Sequence, residues 1–402
     1  MLPENFHLAD RVLQVPPSPT LAVNAKAKAL RAAGADILNF SVGEPDLSTP
    51  AHVCAAGKKA IDDGHTRYTP VAGILELREA VCARFKKEQG WDYTPDQVQV
   101  SCGGKHGLYN VLQAILNPGD EVLIPAPYWV SYPPMVQLAG GTPVIVPLSE
   151  ANEFDLDPAI LGQYVTARTK AIILNSPSNP TGAVYSRASL AAVARMALDR
   201  GWLVISDDMY EEISYTEGKI AHILNLEPRL QGQTVLSNGV SKSFAMTGWR
   251  IGYSVGPIEV IKAMNKIQSQ STSNPAAPSQ YAALAALTGP QDFPGLLRQA
   301  FLPRRAYFVR ELRAIPGVSC VNPMGAFYVF PNFSAYYGKS FGGRVIDGSV
   351  ALADYFLSEA KVASVPGAAF GADAFIRFSF ATSMTVIEQG MERIRQALAA
   401  LQ

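Results

Sequence analysis

Charge of one sign is missing from this sequence: 34 Lys and Arg offset 34 Asp and Glu, and the formal net charge at pH 7 is zero. Without a basic excess there is no field to gather nucleic acid or an anionic membrane surface, so small molecules are the expected partners. Cysteine is scarce as well. Cys54, Cys82, Cys102 and Cys320 are scattered without Cys-x-x-Cys spacing, which argues against a zinc site or a disulfide framework and for buried free thiols. No apolar run approaches the ~20 residues of a spanning helix. Met1 to Asp10 carries Glu4 and Asp10 and lacks an apolar core, so no secretory signal is expected and the chain reads as cytoplasmic.

What is present describes a soluble globular chain. Its 402 residues, 48% hydrophobic and 17% charged, are too many for one small core, and one large and one smaller domain are expected. The Pro-rich stretch Val15 to Thr20 predicts an extended arm over 11–20, followed by an Ala-rich helix from Leu21 to Ala33 that Gly34 stops. Thr49-Pro50 predicts a capped helix start. Short apolar runs then begin at Val98, Val122, Val144, Ala171, Leu203, Val235 and Ile251, with helical segments between most of them. This alternation predicts an α/β domain with a mainly parallel seven-stranded sheet. Pro290 and Pro294 break the pattern, and from about 297 the chain reads as α+β. There a long helix is expected over Gln299 to Ala314, a strand pair around Val318 and 326–330, a helix near 349–359, a strand-like run Phe375 to Phe380 and a final helix ending near Leu401.

Ligands of such sheets bind beyond the carboxyl ends of the strands, so the polar residues there carry the functional reading. After the first run, Gly103-Gly104 opens a helix whose free N–H groups and dipole suit a phosphate, and Lys105 adds a cation. The spacing is neither Gly-x-Gly-x-x-Gly nor Gly-x-x-x-x-Gly-Lys-Ser/Thr, which disfavours dinucleotides and nucleoside triphosphates. The following strand ends supply Tyr128 and Trp129 as a possible ring platform, Asn179 in a rigid Asn-Pro-Thr-Gly turn, and Asp207 three residues before Tyr210. Lys242 and Arg250 then stand eight residues apart in one loop, the lysine in a weakly charged setting that suits a Schiff-base amine. Gly43 lies in a turn where backbone can approach a ligand, and Arg377 lies among apolar residues, where it needs a protein or a substrate carboxylate. Each residue alone is compatible with an ordinary structural role; together they supply an amine, a phosphate cup, a platform, a carboxylate, a phenol, an amide and a carboxylate fork.

The runs Ser-Val-Gly-Glu-Pro-Asp (41–46), Tyr-Thr-Pro (68–70), Gly-Gly-Lys (103–105), Pro-Tyr-Trp-Val-Ser-Tyr (127–132), Asn-Pro-Thr-Gly (179–182), Asp-Asp-Met-Tyr (207–210), Ser-Lys-Ser-Phe-Ala-Met-Thr-Gly-Trp-Arg (241–250) and Arg-Phe-Ser-Phe-Ala (377–381) cover nearly the whole chain. In this order they resemble class I pyridoxal-phosphate-dependent aminotransferases of fold type I, nearest the bacterial aspartate aminotransferase subgroup. The resemblance implies a large cofactor domain over 48–296 and a small domain built from 1–47 and 297–402. It implies transfer of an amino group from an L-amino acid, with aspartate the expected donor, to 2-oxoglutarate. Lys242 would join pyridoxal 5'-phosphate as a Schiff base and later move the proton. Asp207 would hold the ring nitrogen protonated, Asn179 and Tyr210 the phenolic oxygen, and Trp129 the ring face. Arg250, Ser241 and the amides of Gly104 and Lys105 would hold the phosphate, helped by Tyr68 from a second subunit of a homodimer. Arg377 would bind the substrate α-carboxylate with Asn179, Trp129 and the Gly43 backbone.

Two positions depart from many relatives. Gly239 stands where a phosphate-binding Ser is common, three residues before the lysine, which leaves either Ser241 as the substitute donor or the phosphate one donor short. No Arg occurs in Ser269 to Pro275, the segment that in the animal and enteric enzymes reaches the distal carboxylate of the other subunit's substrate. Lys105, with Ser18 or Thr20 from the arm, is the expected replacement. Pro16 occupies the arm position where prephenate-accepting members have a cation, so prephenate is not implied. The competing readings are an aminotransferase for aromatic or neutral amino acids and a pyridoxal-phosphate-dependent β-lyase. A cofactor-binding regulator fused to a DNA reader is disfavoured by the charge balance and the lack of a winged-helix segment.

Overall fold

The computed structural model describes residues 6–402; residues 1–5, the start of the stretch expected to hold no signal sequence, lie outside the described residues. In chain order the strands are β1 (Leu38–Asn39), β2 (Val98–Ser101), β3 (Glu121–Ala126), β4 (Thr142–Pro147), β5 (Thr169–Asn175), β6 (Leu203–Asp207), β7 (Thr234–Gly239), β8 (Gly252–Val255), β9 (Tyr328–Val329), β10 (Ser340–Phe341), β11 (Arg344–Val345), β12 (Val362–Ala363), β13 (Val365–Pro366) and β14 (Ile376–Ser379).

All seven expected runs enter one sheet of order β2-β8-β7-β6-β5-β3-β4, parallel throughout except for β8, which is antiparallel to both neighbours. The central strands read as unbroken apolar runs because both faces are covered. On one face Ile172, Leu174, Val204 and Leu236 pack with Leu190, Val193 and Ala197 of the helix Arg187–Arg200. On the other, Ala171, Ile173, Ile205 and Val235 pack with Leu108, Val111 and Leu112 of the helix Gly104–Ile115. Successive strand residues alternate between these two layers, as the pleat requires.

The C-terminal residues build a separate antiparallel sheet, β13-β14-β9, in which Val365 pairs with Arg377. The N-terminal β1 joins β12 in parallel, so residues near 38 pack with the C-terminal part of the chain. Among the described residues no helix is long and apolar enough to cross a membrane.

Several local expectations are corrected. The arm is not wholly extended: Asp10–Leu13 forms a short helix, and the next helix runs from Pro19 to Ala32 because Pro19 is favoured in a first turn. Thr49 does not cap the helix Ala51–Asp62; its hydroxyl donates instead to Ala245 O at 2.7 Å, 196 residues away. Pro294 does not break the chain but lies in the first turn of the helix Phe293–Arg313, where its missing N–H has no helical partner to lose. The strand expected around Val318 is only an isolated bridge, Ser319 with Asn332.

Candidate active site

The direction of each strand decides what reaches the cleft. β2 leads into Gly103 and Gly104, β3 into Trp129, β5 into Asn175 and Asn179, β6 ends at Asp207 with Tyr210 beyond, and β7 leads into Ser241 and Lys242. Since β8 is antiparallel, it starts at this same edge, and Arg250, just before it, lies with Lys242 rather than a strand length away. A cleft of about 530 Å³ is lined by these residues, Gly103 excepted, together with Thr20, Gly43, Tyr328 and Arg377.

Lys242 Nζ donates to Gly43 O at 2.7 Å. Burial pushes its amine down to about 8; Glu44 and Asp207 oppose this, while Arg250 and Arg377 add to it. A neutral amine is therefore within reach near physiological pH, as nucleophilic and proton-transfer chemistry requires. Asp207 is 6% exposed, and burial raises its carboxyl to about 6 despite two donors. These are the Tyr132 phenol, 2.6 Å from Oδ2, and the Met209 N–H, 3.3 Å from Oδ1. Asp208, the next residue, turns to Ser206 and His222 and leaves the cleft to Asp207.

The anion cup is built by close approach of three backbones. A β-carbon on Gly252 would collide with the Gly104 amide, and one on Gly103 would collide with the Arg250 guanidinium. Gly103 also needs its positive φ of 84° to turn the chain into the helix. At Gly239 a β-carbon would stand 3.0 Å from both Gly252 Cα and Ile251 O, so the close β7–β8 pairing favours glycine there. By helix geometry the N–H groups of Gly104 and Lys105 have no intrahelical acceptor. Arg250 is held beside them by Nη1 donating to Thr247 O at 2.9 Å and Nη2 to Cys102 O at 3.3 Å. Lys105 Nζ lies 4.8 Å from the Trp129 ring centroid, and burial, then Arg250, lowers its pKa.

Arg377 is 3% exposed and makes no ion pair among the described residues. Its Nη1 donates to Asn179 Oδ1 at 2.9 Å and its Nη2 to Ser41 O at 2.8 Å, while Nε has no partner. Tyr328 and Phe370 present ring faces to the guanidinium at 4.5 and 5.0 Å. A buried cation with no counterion and an orphaned donor favours a carboxylate from outside the chain. Tyr210 and Tyr328 share a hydrogen bond of 2.8 Å between their hydroxyls.

Of the expected residues, Gly43, Gly104, Lys105, Trp129, Asn179, Asp207, Tyr210, Ser241, Lys242, Arg250, Arg377 and Thr20 line this one cleft. Ser18 lines an adjoining groove instead, with its hydroxyl 3.0 Å from that of Thr20. Tyr68 is 91% exposed and stands outside the cleft of its own chain. Sequence reasoning missed Tyr132, Tyr328 and Asn175, which donates to Asp207 O and accepts from Asn179 N, both at 2.9 Å. Their signal was weak: Tyr132 and Asn175 stand within strand-end runs already singled out, and Tyr328 within an apolar run.

Free helix amides beside Arg250, a glycine cup with no room for side chains, a buried carboxylate and a depressed amine together match the chemistry of pyridoxal phosphate.

The family model for "Aminotransferase class I and II" matches residues 35–394. The chain is 49% identical over 393 residues to an aspartate aminotransferase of Geobacillus stearothermophilus, covering 98% of this chain and 99% of the relative. It is 51% identical over 397 residues to an aspartate/prephenate aminotransferase of Cereibacter sphaeroides, with 98% and 99% covered. The aspartate aminotransferase crystal structure from Rhizobium meliloti superposes with a TM-score of 0.94 at 41% identity, covering 99% of this chain and 100% of that one. The Thermus thermophilus aspartate aminotransferase with maleate gives 0.91 at 43% identity, covering 98% and 100%. A cleft built from these strand ends, in a fold and sequence matched along their whole length, makes this chain a member of the class I and II aminotransferase family and a pyridoxal-phosphate-dependent aminotransferase.

Proposed function

We propose that the enzyme takes the amino group of aspartate and gives it to 2-oxoglutarate. The observation that carries this reading is that, besides Lys242 and Arg250, the cleft holds two further cations: Arg377, buried without a counterion, and Lys105, held over Trp129. A dicarboxylic substrate has one carboxylate for each. The names of the Geobacillus and Thermus relatives, and the maleate bound to the latter, support the same class of ligand.

In this reading Arg377 takes the α-carboxylate through its free donor and aims the Cα–H bond at Lys242. Lys242 Nζ would take that proton and hold it for return, a task suited to an amine whose pKa lies near the working pH. Bound pyridoxal phosphate supplies the electron sink for the pair left at Cα. Asp207 would hold the ring nitrogen, Asn179 Nδ2 and the Tyr210 hydroxyl would hold the phenolic oxygen, and Trp129 would cover the ring face. Arg250, Ser241 and the amides of Gly104 and Lys105 hold the phosphate. Lys105, with Thr20 in the cleft and Ser18 in the adjoining groove, would receive the distal carboxylate.

The reading includes a cytoplasmic homodimer in which Tyr68 serves the other subunit, and a division of each chain into 48–296 and a smaller unit of 1–47 with 297–402. A panel of amino acids with 2-oxoglutarate as acceptor tests it. Aspartate should give the highest kcat/KM, and keto acid beyond one equivalent per site should form only with the acceptor present; continued keto acid formation from an amino acid alone would instead mark a β-lyase. Prephenate belongs in the acceptor panel because it stands in the Cereibacter relative's name.

A further inference from the structure

Tyr132 has no part in the roles assigned so far, yet it touches two of the groups that carry them. Its ring is 2% exposed and fixed by position: the backbone N–H donates to Trp129 O at 3.0 Å, and Pro133 and Pro134 stiffen the first turn of the helix Tyr132–Leu138 that it begins. The ring meets Trp129 edge to face, with centroids 5.3 Å apart and planes at 82°. Its hydroxyl reaches across from β3's loop to β6 and donates to Asp207 Oδ2 at 2.6 Å.

We infer that Tyr132 is a positioning residue for the cofactor: its phenol occupies one oxygen of Asp207 and leaves the other to the ring nitrogen, while its ring sets the plane of Trp129. The inference rests on the assignment of Asp207 to that nitrogen.

The geometry leaves Asp207 few other supports. Oδ1 accepts only a 3.3 Å bond from the Met209 N–H, so it keeps a lone pair for a donor in the cleft. The charged and titratable groups facing Asp207 are Asp208 beside it, Lys242 from the loop after β7, Tyr132 from the helix after β3, and Tyr210 three residues on. Asp208 and burial favour the neutral acid; Lys242, Tyr132 and the Met209 amide favour the anion. Of these supports Lys242 becomes uncharged or is drawn to the cofactor during turnover, whereas the phenol stays. The phenol itself is fully buried, and burial with the neighbouring Asp207 charge keeps it protonated, so it acts only as a donor. A short O–H···O⁻ bond of this kind is among the stronger ones available to a carboxylate.

The test is Tyr132→Phe, which keeps the ring against Trp129 and removes one oxygen. With ring-¹⁵N-labelled pyridoxal phosphate bound, the nitrogen resonance should move toward the unprotonated position as the proton passes to Asp207. The cofactor dissociation constant should rise about tenfold, the loss of one charge-assisted hydrogen bond. An unchanged resonance with an unchanged dissociation constant would overturn the inference. Asp207→Asn, measured alongside, separates the two levels. If it shifts the resonance and Tyr132→Phe does not, the role of Tyr132 fails alone; if neither shifts it, the Asp207 assignment fails. Should the Phe variant not fold, 3-fluorotyrosine at position 132 supplies a more acidic phenol. It must move the resonance toward the protonated position, and no movement would overturn the inference.

Discussion

Arg377 Nη1 and Asn179 Oδ1 form a 2.9 Å hydrogen bond between residues 198 positions apart, on β14 and after β5. A guanidinium can only donate, so the amide must present its oxygen to Arg377 and its nitrogen elsewhere. The group proposed to grip the substrate thereby orients a group proposed to hold the cofactor. Arg377→Lys loses the planar fork, and the KM for the amino donor should rise ~10–100-fold, as expected for losing about 1.5–3 kcal/mol of charge-assisted bonding. Steady-state kinetics at saturating cofactor measure this, and an unchanged KM would remove Arg377 from the substrate site.

Lys105 distinguishes the acidic from the neutral reading of the substrate. Lys105→Ser should raise the KM for aspartate ~10-fold or more while leaving that for alanine or phenylalanine nearly unchanged, since only the first offers a distal carboxylate. Equal effects on all three would assign Lys105 to the phosphate alone.

The depressed amine of Lys242 makes a prediction about stability without cofactor. Its ordinary value of 10.5 applies to the unfolded chain and about 8 to the folded one. Between these limits the unfolded chain binds more protons, so this residue's contribution to stability rises with pH, and below about 8 the full penalty of a buried charge is present. Lys242→Met keeps the length of the side chain and removes the charge. Scanning calorimetry of the apoenzyme should place its Tm ~2–4 °C above the parent at pH 7, with the gap closing as the pH approaches 10.5. A gap independent of pH would show that the penalty is absent.

Gly239→Ser, which adds a hydroxyl three residues before Lys242, should not strengthen cofactor binding. The new β-carbon would stand 3.0 Å from Gly252 Cα and 3.3 Å from Met209 Cε. Backbone cannot yield as a side-chain end does, and the expected loss is about 1–3 kcal/mol. Urea denaturation and a cofactor titration check both halves; a stable variant with tighter binding would refute the steric account.

Tyr68 is free of its own cleft, and complementation locates its target. Tyr68→Ala mixed with Lys242→Ala, unfolded and refolded together, should form some dimers with one intact site. Activity of roughly a quarter of the parent is expected for random pairing. A mixture no more active than the sum of its components would place Tyr68 outside the partner's site.

The sheet and most of the cleft were legible because each strand is a short apolar run followed directly by its functional residue. Asp207 ends β6 and Lys242 lies just beyond β7, so local pattern and local chemistry coincide. What escaped depends on pairing at long range. Tyr328 is needed because it meets Tyr210, 118 residues earlier, and Thr49 looked like a cap although its hydroxyl is engaged by Ala245. Side chains that bind distant backbone cannot be told by spacing from those that bind near it. Tyr132 illustrates the point: it starts a helix like any aromatic residue, and only the fold carries its hydroxyl to Asp207.

The reversed strand β8 has a consequence for how this enzyme can change over generations. Because β7 and β8 are joined by a single short connection, Lys242 and Arg250, the proposed covalent anchor and phosphate clamp, are inherited as one uninterrupted piece, and an insertion there parts them. Arg377 is encoded more than a hundred positions later, on a different sheet. Mutation can therefore alter the proposed grip on the α-carboxylate without rewriting the segment that carries Lys242 and Arg250.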